Sequence, residues 1–356
     1  MASQDNTRAL VEQVRCSVEA GTPLYIAGGD SKAFYGRDSE GERLDTRGHA
    51  GIVAYEPTEL VITARAGTLL SVIEEALAEH GQMLPFDPPR FGAKESSGAT
   101  LGGAVAAGLA GPGRPWRGAP RDLVLGVKLL DGEGRVQRFG GQVMKNVAGY
   151  DIARLMAGAM GTLGVLLEVS LKVLPRPAAN STRILELSQP EALLAMRELA
   201  AGPAPLAGAC HLQGRLYLRL SGNASGVESW AQQIGGETGE SGFWRQLRDQ
   251  QLEFFQQQAP LWRLSLPPAT PHQHFEREAL TDWGGAQRWL FTERDAGELR
   301  QAVAGHHGHA TLFRGGDRNG EVFQPLNPVL QRFHQGLKRS FDPHKLFNPG
   351  RLYADL

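Results

Sequence analysis

The sequence predicts an α+β protein with two domains. Short apolar strands alternate with amphipathic helices along the chain. Composition changes at Pro175-Arg176-Pro177, after which glycine clusters thin out and Gln, Arg and Trp become common. A chain of 356 residues is long enough for two substantial cores. We therefore expect a first domain over 1–176 and a smaller α+β domain over 177–315.

Local signals place the elements of the first domain. Apolar residues at helical spacing predict a helix over Thr7–Ala20, and a short strand over Leu24–Ala27 follows. Thr68 is expected to cap a helix that ends at His80, with Gly81 at the left-handed position after it. Further along, we expect a strand over 60–65 and a hairpin of 122–130 with return strand 135–139. A short helix over 152–156 and a strand over 165–174 follow.

The second domain is expected to contain at least two helices and two strands. The helices are Leu193–Ala201 and Val227–Ile234, and the strands are Arg215–Leu220 and Trp289–Phe291.

Composition excludes several classes of function. A net charge of −1 gives no argument for a nucleic-acid surface. Two distant cysteines, Cys16 and Cys210, exclude an iron–sulfur or zinc site built from four thiolates and indicate a reducing compartment. The N-terminus carries no secretion signal, and no run reaches the ~18 apolar residues of a membrane span. We expect a cytoplasmic protein, with any attachment to the inner membrane made through partners.

The stretch from Gly98 to Gly111 is the strongest functional signal. It holds five glycines, five alanines and no charge. Interior glycines each cost roughly 1 kcal/mol in a helix, so this run is unlike a long apolar helix. Small side chains instead allow backbone N–H groups to approach a ligand closely. We interpret the ligand as the diphosphate and sugar of a dinucleotide.

Two further glycine clusters flank this run. Gly28-Gly29-Asp30-Ser31-Lys32 follows a strand and has the composition of a concave anion-binding nest, although an ordinary glycine turn is the alternative. It is not a P-loop, because no Gly-Lys-Ser/Thr follows at the required spacing. The other cluster, Gly158–Gly164, opens a strong strand.

The three clusters, with a proline-punctuated tail, resemble the FAD-binding domain of the vanillyl-alcohol oxidase/p-cresol methylhydroxylase (PCMH) family. The matching stretches are 27–31, 94–100, 107–110 and 160–166. The tail, Phe341-Asp342-Pro343 with Asn348-Pro349-Gly350-Arg351, is similar to the end of the lactate and glycolate dehydrogenase branch. The resemblance implies a PCMH-type two-subdomain domain, a cap domain, and a segment 316–356 that returns to the FAD domain.

A narrower resemblance involves residues 139–151 and 308–314, which are similar to the E subunits of bacterial glycolate oxidases. It implies a subunit of a complex that oxidises glycolate, a small 2-hydroxy acid, to glyoxylate. The implied partners are a paralogous FAD-binding catalytic subunit and an iron–sulfur subunit that receives electrons.

The resemblance also implies which residues contact FAD. They are Ala27, Gly28, Gly29, Asp30, Ser31, Lys32, Gly98, Ala99, Thr100, Gly102, Gly103, Ala107, Gly108, Gly111, Gly161, Thr162, Gly164, Val165, Leu166 and Asn348. For Asn348, a turn residue before Pro349 is an equal alternative.

The chain departs from the family at two places. Covalent members carry the flavin on a His where this chain has Asp30, so we expect non-covalent FAD. The His-rich metal and base motif of the hydroxy-acid dehydrogenases has no match. His306, His307 and His309 are better interpreted as a solvated loop, and no metal is expected.

A hydroxy-acid oxidase needs a cation for the carboxylate and a base for the hydroxyl proton. Arg314 and His309 are the best candidates, and Tyr150-Asp151 is another polar pair. Three hypotheses remain open: a catalytic FAD subunit acting on glycolate or another 2-hydroxy acid, a scaffold subunit without its own turnover, and an enolpyruvyl-sugar reductase. The Asn-Pro-Gly-Arg tail disfavours the last.

Overall fold

The computed structural model describes residues 4–92, 98–141, 151–273, 276 and 278–356, which form two compact units. Unit 1 comprises 1–109, 119–175 and 318–356, and unit 2 comprises 110–118 and 176–317. The sequence placed the boundaries after residues 176 and 315. It also assigned Ala110–Gly118 to the first domain, whereas this segment belongs to unit 2. There the Gly111 carbonyl accepts a hydrogen bond from the Trp283 indole (2.9 Å).

Unit 1 is built on a five-stranded antiparallel sheet in the order β3-β4-β8-β6-β7. Two small sheets, β1-β2 and β5-β9, accompany it. The strands are β1 Leu24–Ala27, β2 Glu42–Asp45, β3 Ile52–Glu56, β4 Val61–Arg65, β5 Gln82–Met83, β6 Val124–Leu130, β7 Val136–Gly140, β8 Val165–Lys172 and β9 Leu174–Pro175. The helices are α1 Thr7–Ala20, α2 Leu70–Glu79, α3 Leu101–Ala107, α5 Pro120–Leu123, α6 Ile152–Leu155 and α11 Pro328–Phe341.

One apolar core joins the N-terminal elements to the C-terminal tail. Leu10 and Val14 of α1, Leu24 of β1 and Val165 of β8 are all buried in it. Phe347 from the tail lies in the same core and is fully buried. Burial of such side chains stabilises a fold by roughly 1.5–3 kcal/mol each. The core therefore fixes the residues after Phe347 next to the end of β1.

Unit 2 is built on an eight-stranded sheet in the order β13-β10-β12-β11-β15-β16-β14-β17. Its strands are β10 Ala179–Glu186, β11 Leu206–Leu212, β12 Arg215–Gly222, β13 Glu237–Thr238, β14 Leu261–Ser265, β15 Leu280–Asp282, β16 Gln287–Phe291 and β17 His309–Arg314. Its helices are α4 Arg114–Arg117, α7 Gln189–Ala201, α8 Ala224–Ile234, α9 Phe243–Arg248 and α10 Ala296–Ala304. Apolar residues from α7, α8, β11 and β12 form one buried core.

The predicted α1 and β1 are confirmed with identical bounds, and the hairpin β6–β7 is confirmed as well. One local prediction is wrong. Thr68 does not cap α2, which begins after Leu69, because its hydroxyl accepts instead from the Gly51 N–H (2.9 Å). The glycine–alanine run does contain a helix, α3, held to seven residues by Thr100 as N-cap and Gly108 as left-handed C-cap. In the described part of the chain, no helix is long and apolar enough to cross a membrane.

Candidate functional site

The first glycine cluster forms an open loop at the end of β1. The Ala33 N–H donates to the Asp30 carbonyl (3.0 Å), and Asp30 has a positive φ of 53°. Within the described residues, the N–H groups of Gly28, Gly29 and Ser31 donate to no other part of the chain. A loop with several unengaged N–H groups is the geometry that binds anions.

The charges of this loop are arranged around Asp30. Its carboxylate accepts from the Arg43 guanidinium at 2.6 Å. Burial raises the pKa of the Tyr25 phenol, which stays protonated and donates to Asp30 Oδ1 (3.4 Å). The Lys32 ammonium donates to Ser31 Oγ and lies 5.7 Å from the centre of the Phe91 ring. Arg43 thus compensates the negative charge that Asp30 brings to an anion-binding loop.

Glycines of the second cluster serve two different purposes. A Cβ on Gly102 would lie 2.6 Å from Ala66 Cβ, and a Cβ on Gly108 would lie 2.8 Å from Gly158 Cα. These glycines therefore let α3 pack tightly against β4 and the third cluster. Gly103 differs, because among the described residues its Cβ would meet only Thr100 Oγ1, at 3.2 Å.

The third cluster makes the turn before β8. Gly161 and Gly164 have positive φ angles of 73° and 156°. The Thr162 hydroxyl is buried and donates to the Ala159 carbonyl (2.8 Å). The Val165 side chain lies in the core of unit 1, while Leu166 lies at a cleft wall.

Asn348 joins the tail to both flanking clusters. Its Oδ1 accepts from the Ile26 N–H (2.8 Å) and its Nδ2 donates to the Met160 carbonyl (2.7 Å). Its own N–H donates to the Leu24 carbonyl (2.9 Å), and its φ of 40° suits an Asn. The side-chain amide therefore closes the tail onto β1 and the third cluster.

A buried ion pair supports this tail. Lys338 Nζ lies 2.8 Å from Asp342 Oδ2 and donates to the carbonyls of Thr162 and Phe347, each at 2.8 Å. Asp342 accepts from the N–H groups of Leu346 and Phe347. Burial lowers the pKa of the Lys338 ammonium, and the Asp342 charge opposes that shift.

These segments enclose two adjoining clefts in unit 1, with empty volumes of about 560 and 510 Å³. Both are lined by Ile26, Gly28, Gly103, Ala106, Met160 and Asn348. The first extends along the Gly28–Lys32 loop to Arg351, and the second runs toward the third cluster and Leu166. Concave sites with a few convergent polar groups are typical of cofactor sites.

Thirteen of the predicted FAD contacts line these clefts: Gly28, Gly29, Asp30, Ser31, Lys32, Thr100, Gly102, Gly103, Ala107, Gly161, Gly164, Leu166 and Asn348. Seven do not: Ala27, Gly98, Ala99, Gly108, Gly111, Thr162 and Val165. Of these, Gly111 belongs to unit 2. The predicted contacts within 94–97 and the pair partner Tyr150 lie outside the described residues.

Several lining residues escaped the sequence analysis, including Tyr25, Ile26, Ala106, Met160 and Arg351. Arg351 stands in the Asn-Pro-Gly-Arg tail, and its guanidinium donates to the Ala33 carbonyl (2.7 Å). That motif was the available signal for Arg351. Met160 opens the matching stretch 160–166, which was the available signal for it, although a lone methionine is common in cores.

Comparison with known proteins identifies the family. A family model described as an FAD binding domain matches residues 3–140. Glycolate oxidase subunit GlcE of Escherichia coli (strain K12) is 49% identical over 352 residues, covering 99% of each chain. This chain belongs to the GlcE family of glycolate oxidase subunits. The resemblance to E subunits and to an FAD-binding domain is thereby confirmed.

More distant relatives share only part of the chain. D-lactate dehydrogenase of Anaerostipes hadrus is 31% identical over 135 residues, which are 38% of this chain and 27% of that protein. Glycolate oxidase subunit GlcD of Bacillus subtilis (strain 168) is 30% identical over 131 residues, 37% and 27% of the two chains. A solved structure of alkyldihydroxyacetonephosphate synthase matches with a TM-score of 0.65 at 13% identity, covering 97% of this chain and 75% of that one. That likeness supports the predicted α+β fold class of this GlcE-family chain.

The two catalytic candidates do not form one site. His309 and Arg314 are the first and last residues of β17. Five steps of roughly 3.3 Å separate their backbones by about 17 Å. Arg314 donates to Gln250 Oε1, and His309 is exposed. The hydroxyl and the carboxylate of one small hydroxy acid lie much closer together than that. His309 and Arg314 therefore cannot bind the two groups of one substrate molecule at the same time.

Other polar candidates are equally dispersed. His307 is exposed and His306 half-buried. Asp151 caps the short helix α6 by accepting from the Arg154 N–H (3.2 Å). In the ranges that the structure describes, no three His, Cys, Asp or Glu side chains are grouped to hold a metal ion.

Proposed function

We propose that this chain is a non-covalent FAD-binding subunit of a multi-subunit glycolate oxidase. In this proposal the complex oxidises glycolate to glyoxylate and passes the electrons to an iron–sulfur partner subunit, with a paralogous FAD-binding subunit as the other partner. The observation that carries the proposal is the continuous pair of clefts that three glycine clusters and Asn348 enclose in unit 1. Family membership supports the assignment to a glycolate oxidase.

The cleft walls fit the chemical parts of FAD. The unengaged N–H groups of Gly28, Gly29 and Ser31 suit the diphosphate. Lys32, at the cleft wall, adds a positive charge to that loop. The second cleft is more apolar, with Ala66, Met156, Met160 and Leu166, and suits the flavin ring.

Non-covalent attachment is supported by Asp30. A carboxylate cannot replace the His that carries the flavin in covalent relatives. Its ion pair with Arg43 engages it within the chain. When bound, FAD would supply the acceptor for the hydride, and with it the two electrons, that a hydroxy acid loses from carbon, while the hydroxyl proton leaves separately. The residues of this chain hold and orient the cofactor.

A second candidate function is a flavin-binding scaffold without its own turnover. The separation of His309 from Arg314 favours it, because no described cluster of the chain supplies both the base and the carboxylate anchor. In that case the paralogous subunit performs the oxidation. The cytoplasmic location expected from the sequence, with any membrane attachment through partners, stays a prediction.

The test is reconstitution of the purified chain with FAD, followed by gel filtration. We expect the flavin absorbance band to elute with the protein and to be released into the supernatant when the protein is precipitated with acid. A colourless protein after reconstitution would refute the FAD proposal. Flavin that stays in the acid pellet would refute non-covalent attachment.

Catalysis is tested by adding glycolate to the reconstituted chain without oxygen. Bleaching of the flavin band supports turnover by this subunit itself. A band that stays unbleached here, but bleaches in the assembled complex, supports the scaffold function. D-lactate serves as the comparison substrate, because a dehydrogenase for it is among the relatives.

A further inference from the structure

Helix α11 is attached to unit 1 through its polar side. Gln331 and Gln335 donate to the same Asp355 carboxylate oxygen, at 3.0 and 2.7 Å. Lys338 on the same side is 2% exposed and binds Asp342 and two carbonyls. Amphipathic helices of globular proteins normally turn their polar side toward water. In α11 the polar side faces the protein at half-buried Gln335 and buried Lys338, while Gln331 remains exposed.

The apolar side of α11 is correspondingly exposed. Val329, Leu330 and Phe333 have 51%, 46% and 66% of their surfaces accessible. Their spacing of one and four residues places them on one face, and half-buried Leu337 continues that face by one more turn. We call these four residues the α11 stripe. Phe333 is the most accessible large apolar side chain in the described part of the protein.

The α11 stripe differs from ordinary exposed apolar residues. The other large apolar side chains exposed in the described ranges, Val53, Val136 and Leu194, lie singly on three different elements. Isolated exposed residues need no explanation, but a clustered apolar face marks an interaction site. An aromatic residue at the centre of such a face is the usual anchor of a protein interface.

Charge indicates what covers the stripe. Pro328–Phe341 contains no acidic residue, and its exposed charges are Arg332 and Arg339. Seven residues separate these arginines, so they lie two turns apart along one edge of the stripe. A partner that fits this face has an apolar groove with carboxylates along one rim.

The arginines disfavour a second copy of this chain as the occupant. In a symmetric antiparallel contact between two α11 helices, the same edges meet, so the arginines of the two copies would lie together. Like charges facing each other across an interface are unfavourable. A different protein with acidic residues at the corresponding rim avoids that cost.

We propose that the α11 stripe is the docking surface for another subunit of the oxidase, one that presents an apolar groove rimmed by Asp or Glu. This inference rests on the proposed function, since it takes the chain to be part of a multi-subunit complex. It adds the location of the contact and the chemistry of the partner surface. The stripe lies on the same helix as Lys338, which donates a hydrogen bond to the Thr162 carbonyl near the second cleft.

The experiment uses the full chain co-expressed with the paralogous FAD-binding subunit and the iron–sulfur subunit of its own oxidase. A photo-crosslinking phenylalanine analogue replaces Phe333 in one sample, and in another Phe333→Ser and Leu330→Ser are combined. Val53→Ser is the matched control, because Val53 is a similarly exposed apolar residue on β3. We expect a crosslink to one partner subunit and a loss of partner affinity of at least about tenfold in the double variant only.

Charge reversal tests the acidic rim independently. Arg332→Glu combined with Arg339→Glu is expected to weaken the complex, and added salt is expected to weaken the wild-type complex but not the variant. Unchanged affinity in both variant pairs overturns the proposal. A crosslink only between two copies of this chain, or stripe-dependent binding to anionic phospholipid vesicles without partner binding, also overturns it.

FAD retention is measured in every sample. A chain that binds its partner through the stripe but holds no FAD would refute the FAD proposal and leave the docking surface standing.

Discussion

The two walls of the cleft pair in unit 1 are built by opposite means. The glycine wall, made of the Gly28–Lys32 loop and α3, works through missing side chains that allow close approach. The tail wall, made of residues 342–351 and supported by Lys338 of α11, works through side chains that are engaged in hydrogen bonds. Asn348 and Lys338 alone make five side-chain contacts, of which three reach Ile26, Met160 and Thr162 outside the tail.

This difference separates two kinds of energetic contribution. Removing a buried hydrogen-bonding group leaves its partners unsatisfied, which costs unfolding free energy. Adding a side chain where a glycine faces a cleft costs little stability and obstructs a ligand. Substitutions in the tail wall should therefore act first on stability, and substitutions at the open part of the glycine wall should act first on FAD affinity.

The largest effect is expected from Lys338→Met. The change leaves the buried Asp342 carboxylate without its cation and frees the Thr162 and Phe347 carbonyls. Removing one partner of a buried pair costs about 3 kcal/mol or more. We expect a lower midpoint in urea unfolding of the chain without FAD.

Lys345→Met provides the control for Lys338→Met, since it removes the same charge from an exposed position on the same tail. It should change the unfolding free energy by at most about 0.5 kcal/mol. Combining Lys338→Met with Asp342→Asn should cost less than the sum of the two single changes. Strict additivity would show that the pair is not a coupled unit.

An intermediate effect is expected from Asn348→Ala. The change leaves the Ile26 N–H and the Met160 carbonyl without their hydrogen-bond partner and places alanine at a positive φ. Together these effects should lower the unfolding free energy by about 1–3 kcal/mol. Asn348→Asp keeps an acceptor for Ile26 but loses the donor to Met160, so it should fall between alanine and the wild type. The two melting temperatures measure this order. An aspartate variant less stable than the alanine variant would contradict the assigned roles of Oδ1 and Nδ2.

The glycine wall could be predicted from the sequence and the tail wall could not, for a physical reason. Glycine clusters are local in the chain, so composition alone exposes Gly28–Lys32 and the run from Gly98. Contacts of the tail span 322 residues from Asn348 to Ile26 and 176 residues from Lys338 to Thr162. No local pattern encodes such pairings, and Asn348 was found only through the resemblance of its motif.

The same limit explains the errors within the predicted parts. The sequence showed that Gly98–Gly111 needs small side chains, but not what each one approaches. Gly102 and Gly108 face other segments of unit 1, Gly111 belongs to unit 2, and Gly103 lies at both clefts. Helix α11 was also missed, although its apolar residues recur at helical spacing.

The smallest effect on stability, and the largest on the cofactor, is expected from Gly103→Asp. The added Cβ meets only Thr100 Oγ1 at 3.2 Å, so α3 should fold with a change within about 1 kcal/mol. The carboxylate would project into the space shared by both clefts, where it opposes an anionic diphosphate and occupies cofactor volume. We expect the purified variant to be colourless after reconstitution, with an unfolding midpoint close to that of the FAD-free wild type.

Two control variants separate the effect of added charge from loss of stability and from obstruction of the cleft. Gly242→Asp adds the same charge in unit 2, where a Cβ would meet nothing within 4 Å, and should retain FAD. Gly102→Asp forces a Cβ to within 2.6 Å of Ala66 and should lower the stability of the FAD-free chain by about 1–3 kcal/mol.

Because bound FAD stabilises only the folded chain, the melting temperature of the wild type should rise with FAD concentration and that of Gly103→Asp should not. If Gly103→Asp stayed yellow while Gly102→Asp lost both flavin and stability, the glycine wall would serve packing alone and the cofactor would lie elsewhere.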